Sequence, residues 1–360
     1  MGSGDEVGSG DEVSDGGERV RADGGGGAGV GGPVVLTGGT GFIGSHALRE
    51  LVRGARVRAL VRRVPEAGAA GVGGTGGVGG GGGGGGAAVP ASSGVEWVRG
   101  DLTDPEAVRG LCEGASTLVH LASYVGGDER ICETVNVDAT RALMAEARRA
   151  GVARIVHLST AAVYGAGPHR GIEVDEIVPA PVSAVSRTRL AGEAYARDAG
   201  AVVLRPGIVL GAGDRWVVPG LRELVARVPA EWDGGSALLS VVDAGDLGRL
   251  IAAVATGPRP VPPGVRHAAH PEPVRIGGLL AELAALGVLP PRPREDWPWP
   301  VCLERLRATP GRASERQFAL VAQDHWYRAE ELWRLTGEEP GPGPLARLAG
   351  AAEWYRGQGG

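Results

Sequence analysis

The segment that most restricts the fold is PVVLTGGTGFIGSHALREL, from Pro33 to Leu51. Val34, Val35 and Leu36 make the short apolar run of a buried strand, and Ile43, Ala47 and Leu51 recur at helical spacing. Between these two patterns Gly38, Gly41 and Gly44 punctuate a turn. A strand, a glycine turn and a helix N-terminus together form a diphosphate cradle. Backbone N–H groups point at the phosphates, and glycine lets the chain approach where a Cβ would clash. Three glycines mean little in a chain that holds 65 of them. The strand before and the helix after give them meaning.

Composition bounds the rest. The opening is acidic and Gly-rich, with GSGDEV in tandem at 2–7 and 8–13, and a second low-complexity run at 66–93 contains eight consecutive glycines, Gly79 to Gly86. Both have too little apolar area to offset the entropy of ordering, so a disordered tail (1–31) and a flexible insertion (66–93) are expected. The remaining chain suffices for one α/β domain with a smaller lobe. A net charge of −5 argues against a nucleic-acid partner, and no apolar run reaches the length of a membrane span. Nor does the N-terminus have the basic and apolar regions of a signal peptide. Cys112, Cys132 and Cys302 show no metal spacing and leave one unpaired, which fits a reducing cytoplasm and no metal site. The closest histidine pair, His267 and His270, reads as loop. All 37 basic residues are arginine; the chain has no lysine.

The glycine spacing in TGGTGFIG is G-x-x-G-x-x-G, and it resembles the signature of the extended short-chain dehydrogenase/reductase family. The resemblance recurs along most of the remaining chain. It implies that Gly38, Thr40, Gly41, Phe42, Ile43 and Gly44 hold a dinucleotide. RVRALVRR reads as the second strand, ending in Arg62 and Arg63. Arginine there suits a 2′-phosphate, whereas a carboxylate would suit a free ribose hydroxyl, so NADP(H) is expected over NAD(H). VEWVRGDLTD resembles the third strand, and it implies that Asp101 meets the adenine amino group beside Leu102. STLVHLASY resembles the fourth strand and its turn, which places Leu121, Ala122 and Ser123 along the cofactor. An Asn136-led helix and a fifth strand at Arg154–Ser159 follow. AVVLRPGIVLGAGDRW resembles the strand and turn beside the nicotinamide, with Pro206 and Ile208 on the cofactor. Strands alternating with helices predict a doubly wound parallel sheet with its ligand at the carboxyl ends of the strands. The expected division is a dinucleotide domain over 32–210 and a smaller, helical substrate lobe over 211–360, with 240–255 returning to the first domain. In DHWYRAEELWRLTG, Trp326, Leu332 and Leu335 stand at helical spacing, and the aromatics there read as packing.

One stretch breaks the resemblance. In the family a tyrosine donates the proton to the nascent alkoxide and a lysine four residues later holds the ribose and lowers the tyrosine pKa. Aligning AVSRTRLAGE with the family's Y-x-x-x-K-x-x-x-E puts Val185 and Arg189 at those positions. Without any lysine, no shift of register restores the pair. Tyr195 stands ten residues past Val185, about 15 Å along a helix, and does not substitute. Thr160 takes the Ser/Thr position. Arg189 reads either as a fork of donors for the ribose or as a surface charge. Tyr124, Thr160, Tyr164, Val185, Ser186 and Trp216 are the substrate-facing candidates, Tyr164 being packing first because its V-Y-G segment resembles a structural one.

A missing acid forfeits about 10²–10⁴ in rate, which a substrate hydroxyl beside the carbonyl offsets by donating an internal hydrogen bond. A member of the family with this gap resembles an NADPH-dependent ketoreductase of an aromatic polyketide, of the angucyclinone type found in antibiotic biosynthesis, and that activity is what the resemblance implies. Two alternatives stay open: an NADP(H)-sensing protein without chemistry, and a nucleotide-sugar epimerase or dehydratase, which the missing tyrosine weakens. The oligomeric state stays open, although in the family the helices around 136–151 and 183–199 often pair into a dimer.

Overall fold

A computed structural model describes residues 31–65, 94–291 and 295–358. The expected tail, apart from Gly31, and the expected insertion lie outside the described residues. The first strand, β1 (Val34–Thr37), is no more than 1% exposed at any residue, as a strand covered on both faces must be. It is joined by β2 (Val57–Val61), β3 (Val95–Arg99), β4 (Thr117–His120), β5 (Arg154–Leu158), β6 (Val202–Arg205) and β7 (Gly264–His267). All neighbours pair in parallel, in the order β3-β2-β1-β4-β5-β6-β7. The order reverses between β1 and β4, which opens a crevice above their carboxyl ends. The doubly wound parallel sheet that the sequence predicts is the fold of the protein.

Helix α1 (Phe42–Leu51) buries Ala47, Leu48 and Leu51 against Leu247, Leu250, Ile251 and Val254. On the sheet's other face α2 (Ala139–Arg149) and α3 (Ala184–Asp198) pack together. Further on, α4 (Val217–Arg227) belongs to the second lobe and α5 (Ala244–Thr256) lies against α1. The second lobe is not only helical. It contains a four-stranded sheet built from Val274–Arg275, Leu238–Leu239, His325–Tyr327 and His169–Ile172. Its core stacks Phe318 edge-on to Trp232 at 4.8 Å, with Leu221, Leu224 and Tyr355 around them.

Three local expectations are corrected. Trp326 lies on the strand His325–Tyr327, and the helix that holds Leu332 and Leu335 begins only at Glu330; the spacing of Trp326 to those leucines matched a helix by coincidence. Asn136 does not lead a helix but sits in a π-helical turn, Thr134–Asp138, between the short helix Glu129–Glu133 and α2. The return to the first domain extends beyond 240–255, because β7 adds the seventh strand beside β6.

One buried ion pair ties these layers together. Glu193 on α3 and Arg205 at the end of β6 are 1% and 3% exposed, and the guanidinium grips the carboxylate with Nε at 3.0 Å and Nη2 at 2.5 Å. The Ser159 hydroxyl also donates to Glu193 Oε1. Arg205 lies 4.9 Å above the Tyr164 ring, and Tyr164 Oη donates to His267 Nε2 at 2.7 Å. His267 in turn gives its Nδ1–H to the Arg328 carbonyl at 2.9 Å. Removing one member leaves a buried charge alone, so Glu193→Ala should lower the unfolding free energy in urea by about 3–5 kcal/mol. The double variant Glu193→Leu with Arg205→Met should recover most of that loss.

Candidate active site

The crevice begins at the cradle. Gly38 has φ +76°, and its carbonyl accepts the Gly41 N–H at 3.0 Å. Gly41 is the extended N-cap of α1 and supplies no side-chain acceptor, so the first N–H groups of the helix have no side-chain cap and remain open to an anion. A Cβ on Gly38 would stand 2.5 Å from the Ala122 nitrogen, and one on Gly44 would overlap the Gly38 carbonyl oxygen. Both glycines are therefore required by close backbone approach. This geometry fits a dinucleotide diphosphate.

Arg62 and Arg63 lie exposed immediately beyond β2. The Asp101 carboxylate accepts from Thr103 N at 2.9 Å and Thr103 Oγ1 at 2.8 Å. Those bonds, with a smaller contribution from the Arg62 charge, hold Asp101 below the usual carboxylate range. Arg62 and Asp101 therefore share one corner. The turn after β4, Leu121 to Tyr124, is clamped by Asn136, whose Oδ1 takes the Tyr124 N–H at 2.8 Å and whose Nδ2 donates to the Tyr124 carbonyl at 2.9 Å. Nδ2 also donates to Thr188 Oγ1 on α3 at 3.1 Å. Asn136 had no role in the sequence beyond leading a helix; its contacts span 12 and 52 residues.

Arg189 is not a surface charge. Its Nη2 donates to the carbonyls of Leu158 at 2.7 Å and Ser159 at 2.6 Å, fastening α3 to the end of β5. Burial lowers its pKa to about 10, which leaves it charged at neutral pH. His120 and His157 lie in its field with ring centroids 5.1 Å apart. Burial brings His120 down to about 4 and pushes His157 well below its ordinary value, so both are neutral there. Val185, one turn before Arg189, is half-buried and offers only methyl groups.

Beside this edge lies a cavity of about 250 Å³. Trp216, Val217, Leu221, Leu224, Leu320 and Val321 supply its apolar wall, and Thr160, Ser240, Gln317, His325 and Tyr327 its polar groups. Pro206 and Ile208, expected on the cofactor, also line it. Among the described residues that line it there is no Arg, Asp or Glu. Of the substrate-facing candidates the structure brings Thr160 and Trp216 to this wall and leaves the other four outside it. Tyr164 is 2% exposed, with its hydroxyl engaged by His267, because it fills the seam beneath Arg205. Ser186 is 1% exposed and forms a reciprocal capping box with Ser183 at the start of α3, so its hydroxyl belongs to the helix. Tyr124 folds its ring over Gly126, and Val185 stays half-buried on α3. His325, Tyr327, Ser240 and Gln317 are the wall residues that the sequence did not single out. Their only local signal was the polar and aromatic alternation in DHWY.

The chain belongs to the NAD-dependent epimerase/dehydratase family, which it matches over residues 34–267, and it is an NAD(P)-dependent oxidoreductase of the extended short-chain type. Over 343 residues, 89% of this chain and 90% of the relative, it is 28% identical to a 2-alkyl-3-oxoalkanoate reductase of Stenotrophomonas maltophilia. Over 138 residues it is 36% identical to sterol demethylase protein B of Methylococcus capsulatus, covering 37% of this chain and 36% of that protein. Over 232 residues it is 30% identical to a 4-hydroxy-2-methyl-3-oxo-4-farnesyl-3,4-dihydroquinoline-1-oxide ketoreductase of Stigmatella aurantiaca, covering 61% and 63%. The fold matches WbmH of Bordetella bronchiseptica in complex with NAD+, with TM-score 0.67, 20% identity and coverage of 91% of this chain and 100% of that one. It matches MoeE5 in complex with UDP-glucuronic acid and NAD at TM-score 0.65, 24% identity and the same coverage. These two likenesses establish the fold.

The cradle yields a direct test. Gly44→Ala should weaken dinucleotide binding tenfold or more in a fluorescence titration, since a loss of only about 1.4 kcal/mol suffices. The melting temperature of the free protein reports separately whether the packing of α1 tolerates the methyl group.

Proposed function

We propose that the protein is an NADPH-dependent ketoreductase acting on a carbonyl of a fused aromatic polyketide, of the angucyclinone type made in antibiotic biosynthesis, with a substrate hydroxyl as proton source. The observation that carries this reading is the cavity wall, which is apolar and uncharged among its described residues. A nucleotide sugar brings a diphosphate that needs arginine or an equivalent donor set, and this wall offers none. A flat, neutral, apolar ketone matches it. The full-length relative from Stenotrophomonas and the partial one from Stigmatella are named for ketone reduction, which agrees in reaction class. In its departures from the usual motif the chain also resembles the ketoreductase of simocyclinone biosynthesis.

The bound nicotinamide supplies the hydride. Gly38, Thr40, Gly41, Phe42, Ile43 and Gly44 hold the diphosphate, Asp101 and Leu102 the adenine, and Leu121, Ala122 and Ser123 the length of the cofactor. Arg189 directs its remaining donors to the ribose. Arg62 and Arg63 take the 2′-phosphate. NADPH should therefore bind more tightly than NADH, and Arg62→Ala should weaken NADPH while sparing NADH in parallel titrations. Equal loss of both would remove the basis for the preference.

No wall residue is poised to give a proton. Ser240 accepts the Tyr327 N–H at 2.9 Å and donates to the Tyr327 carbonyl at 3.3 Å. Tyr327 Oη sits 3.1 Å from His169 Nδ1, and burial drives its acidity down. His325 is kept neutral by burial and donates its Nδ1–H to the Gln323 carbonyl at 3.0 Å. Thr160 accepts the Ala162 N–H at 3.2 Å, and an unaided hydroxyl is a poor acid. A phenol adjacent to the substrate carbonyl fills this gap by polarising the carbonyl from within. Thr160→Val should then lose far less than the ~10³–10⁴-fold that removal of a true general acid costs. Two ketones differing only in a free or methylated neighbouring phenol decide the matter. The free phenol should be reduced and the ether, although bound, should be nearly inert. Reduction of both at equal rates would return the search to Tyr124 or a bound water, whereas binding without turnover of either would favour a nucleotide-sensing protein.

A further inference from the structure

The segment Gly211–Trp216 touches both halves of the site. On one side it meets α1, the helix that begins at the diphosphate cradle. His46 donates its Nε2–H to the Ala212 carbonyl at 3.1 Å, while its Nδ1 accepts from Arg49 Nη1 at 3.3 Å. The Phe42 ring packs against Gly213, where φ is +106° and a Cβ would stand 2.8 Å from Phe42 Cδ2. Only glycine fits there, by conformation and by space.

On the other side the segment leads to the cavity. Asp214, 1% exposed, accepts the N–H groups of Trp216 and Val217 at 2.8 Å and of Val218 at 3.0 Å, which starts α4. Tyr355 from the C-terminal helix braces it, with Oη accepting the Gly211 N–H at 2.8 Å and donating to Asp214 Oδ2 at 3.3 Å. Trp216 follows directly. Its indole lines the cavity yet is 67% exposed, and among the described residues it has no hydrogen-bond partner for its ring N–H. The backbone of Trp216 is thus fixed and its ring is uncovered, which is the disposition of an aromatic surface awaiting a flat ligand.

We propose that Gly211–Trp216 couples the two sites: a diphosphate held at the start of α1 fixes this segment through Phe42 and His46, and the segment sets Trp216 to stack on an aromatic ligand in the cavity, so that the ligand binds more tightly to the cofactor-loaded protein. The inference rests on reading the cavity as the substrate site. A diphosphate that restrains the start of α1 restrains this segment with it, so less residual freedom is lost when the second ligand binds, and linkage makes the effect reciprocal.

The test is a binding experiment and needs no turnover. Alizarin, a fused-ring hydroxyanthraquinone, is titrated by its visible absorbance with the protein alone, with NADP+, and with 2′-phospho-ADP-ribose, which fills the cradle but has no nicotinamide to touch the dye. Both nucleotides should tighten alizarin by about fivefold or more, the lower end of ordinary coupling. Trp216→Ala should weaken alizarin by about tenfold, as loss of a stacking aromatic does, and Trp216→Phe should restore most of it. His46→Leu should leave each ligand binding alone but abolish the coupling; His46→Ala, which removes the same bond to Ala212 with less bulk, replaces it if His46→Leu fails to fold. Coupling with NADP+ but not with 2′-phospho-ADP-ribose would overturn the proposal in favour of direct nicotinamide contact. Coupling that survives both α1 variants would also overturn it. Absence of alizarin binding in every state would overturn the cavity reading itself, and the coupling with it.

Discussion

The Glu193–Arg205 pair is the constraint on which the working edge of the molecule depends. It joins α3 to β6, and through Ser159 it reaches the end of β5, one residue before Thr160. Arg205 then covers Tyr164, and Tyr164 reaches β7 through His267. Three strands and a helix are thereby registered beside the cavity that Thr160 lines. Such a pair contributes little net stability compared with apolar packing, because desolvating two ions offsets their attraction. Its effect is geometric. Five polar residues, Glu193, Arg205, Ser159, Tyr164 and His267, are committed to one another, and none of them lines the cavity beside them.

What the sequence disclosed follows the range of the forces concerned. The run of Val34 to Leu36, the glycine turn and the spacing of Ala47 and Leu51 are local patterns, and each became the expected strand, cradle and helix. Parallel order followed from alternating strands and helices. Ser186 was legible too: Ser183 three residues earlier is the signature of a cap, and the hydroxyl assigned to substrate belonged to the helix. Tyr164 was harder, since its partner His267 lies 103 residues away. His325 and Tyr327 arrive on the cavity by pairing with the strand His169–Ile172, a tertiary contact that no local pattern reports. Trp326 showed the limit of periodicity, for a strand residue six positions before Leu332 satisfies helical spacing although the helix begins only at Glu330.

The cavity also shows how one fold serves unlike chemistries. WbmH and MoeE5 share this architecture, and the latter is seen with UDP-glucuronic acid. The present chain keeps the glycine cradle that any dinucleotide requires. Its cavity wall has no Arg, Asp or Glu among the described lining residues. Function on this scaffold is decided by the dozen or so side chains that the second lobe brings to the strand ends, which is why fold likeness alone says little about substrate.

Arg189 carries a last implication. Because its Nη2 serves two carbonyls at the end of β5, this side chain is a structural fastener. A lysine placed there has a single, compact ammonium on a flexible stem and does not reproduce a planar fork. It would hold the two carbonyls less firmly than the guanidinium does. Exchanging Arg189 therefore touches the fold as well as the site, because the end of β5 would lose the two bonds that seat α3 upon it.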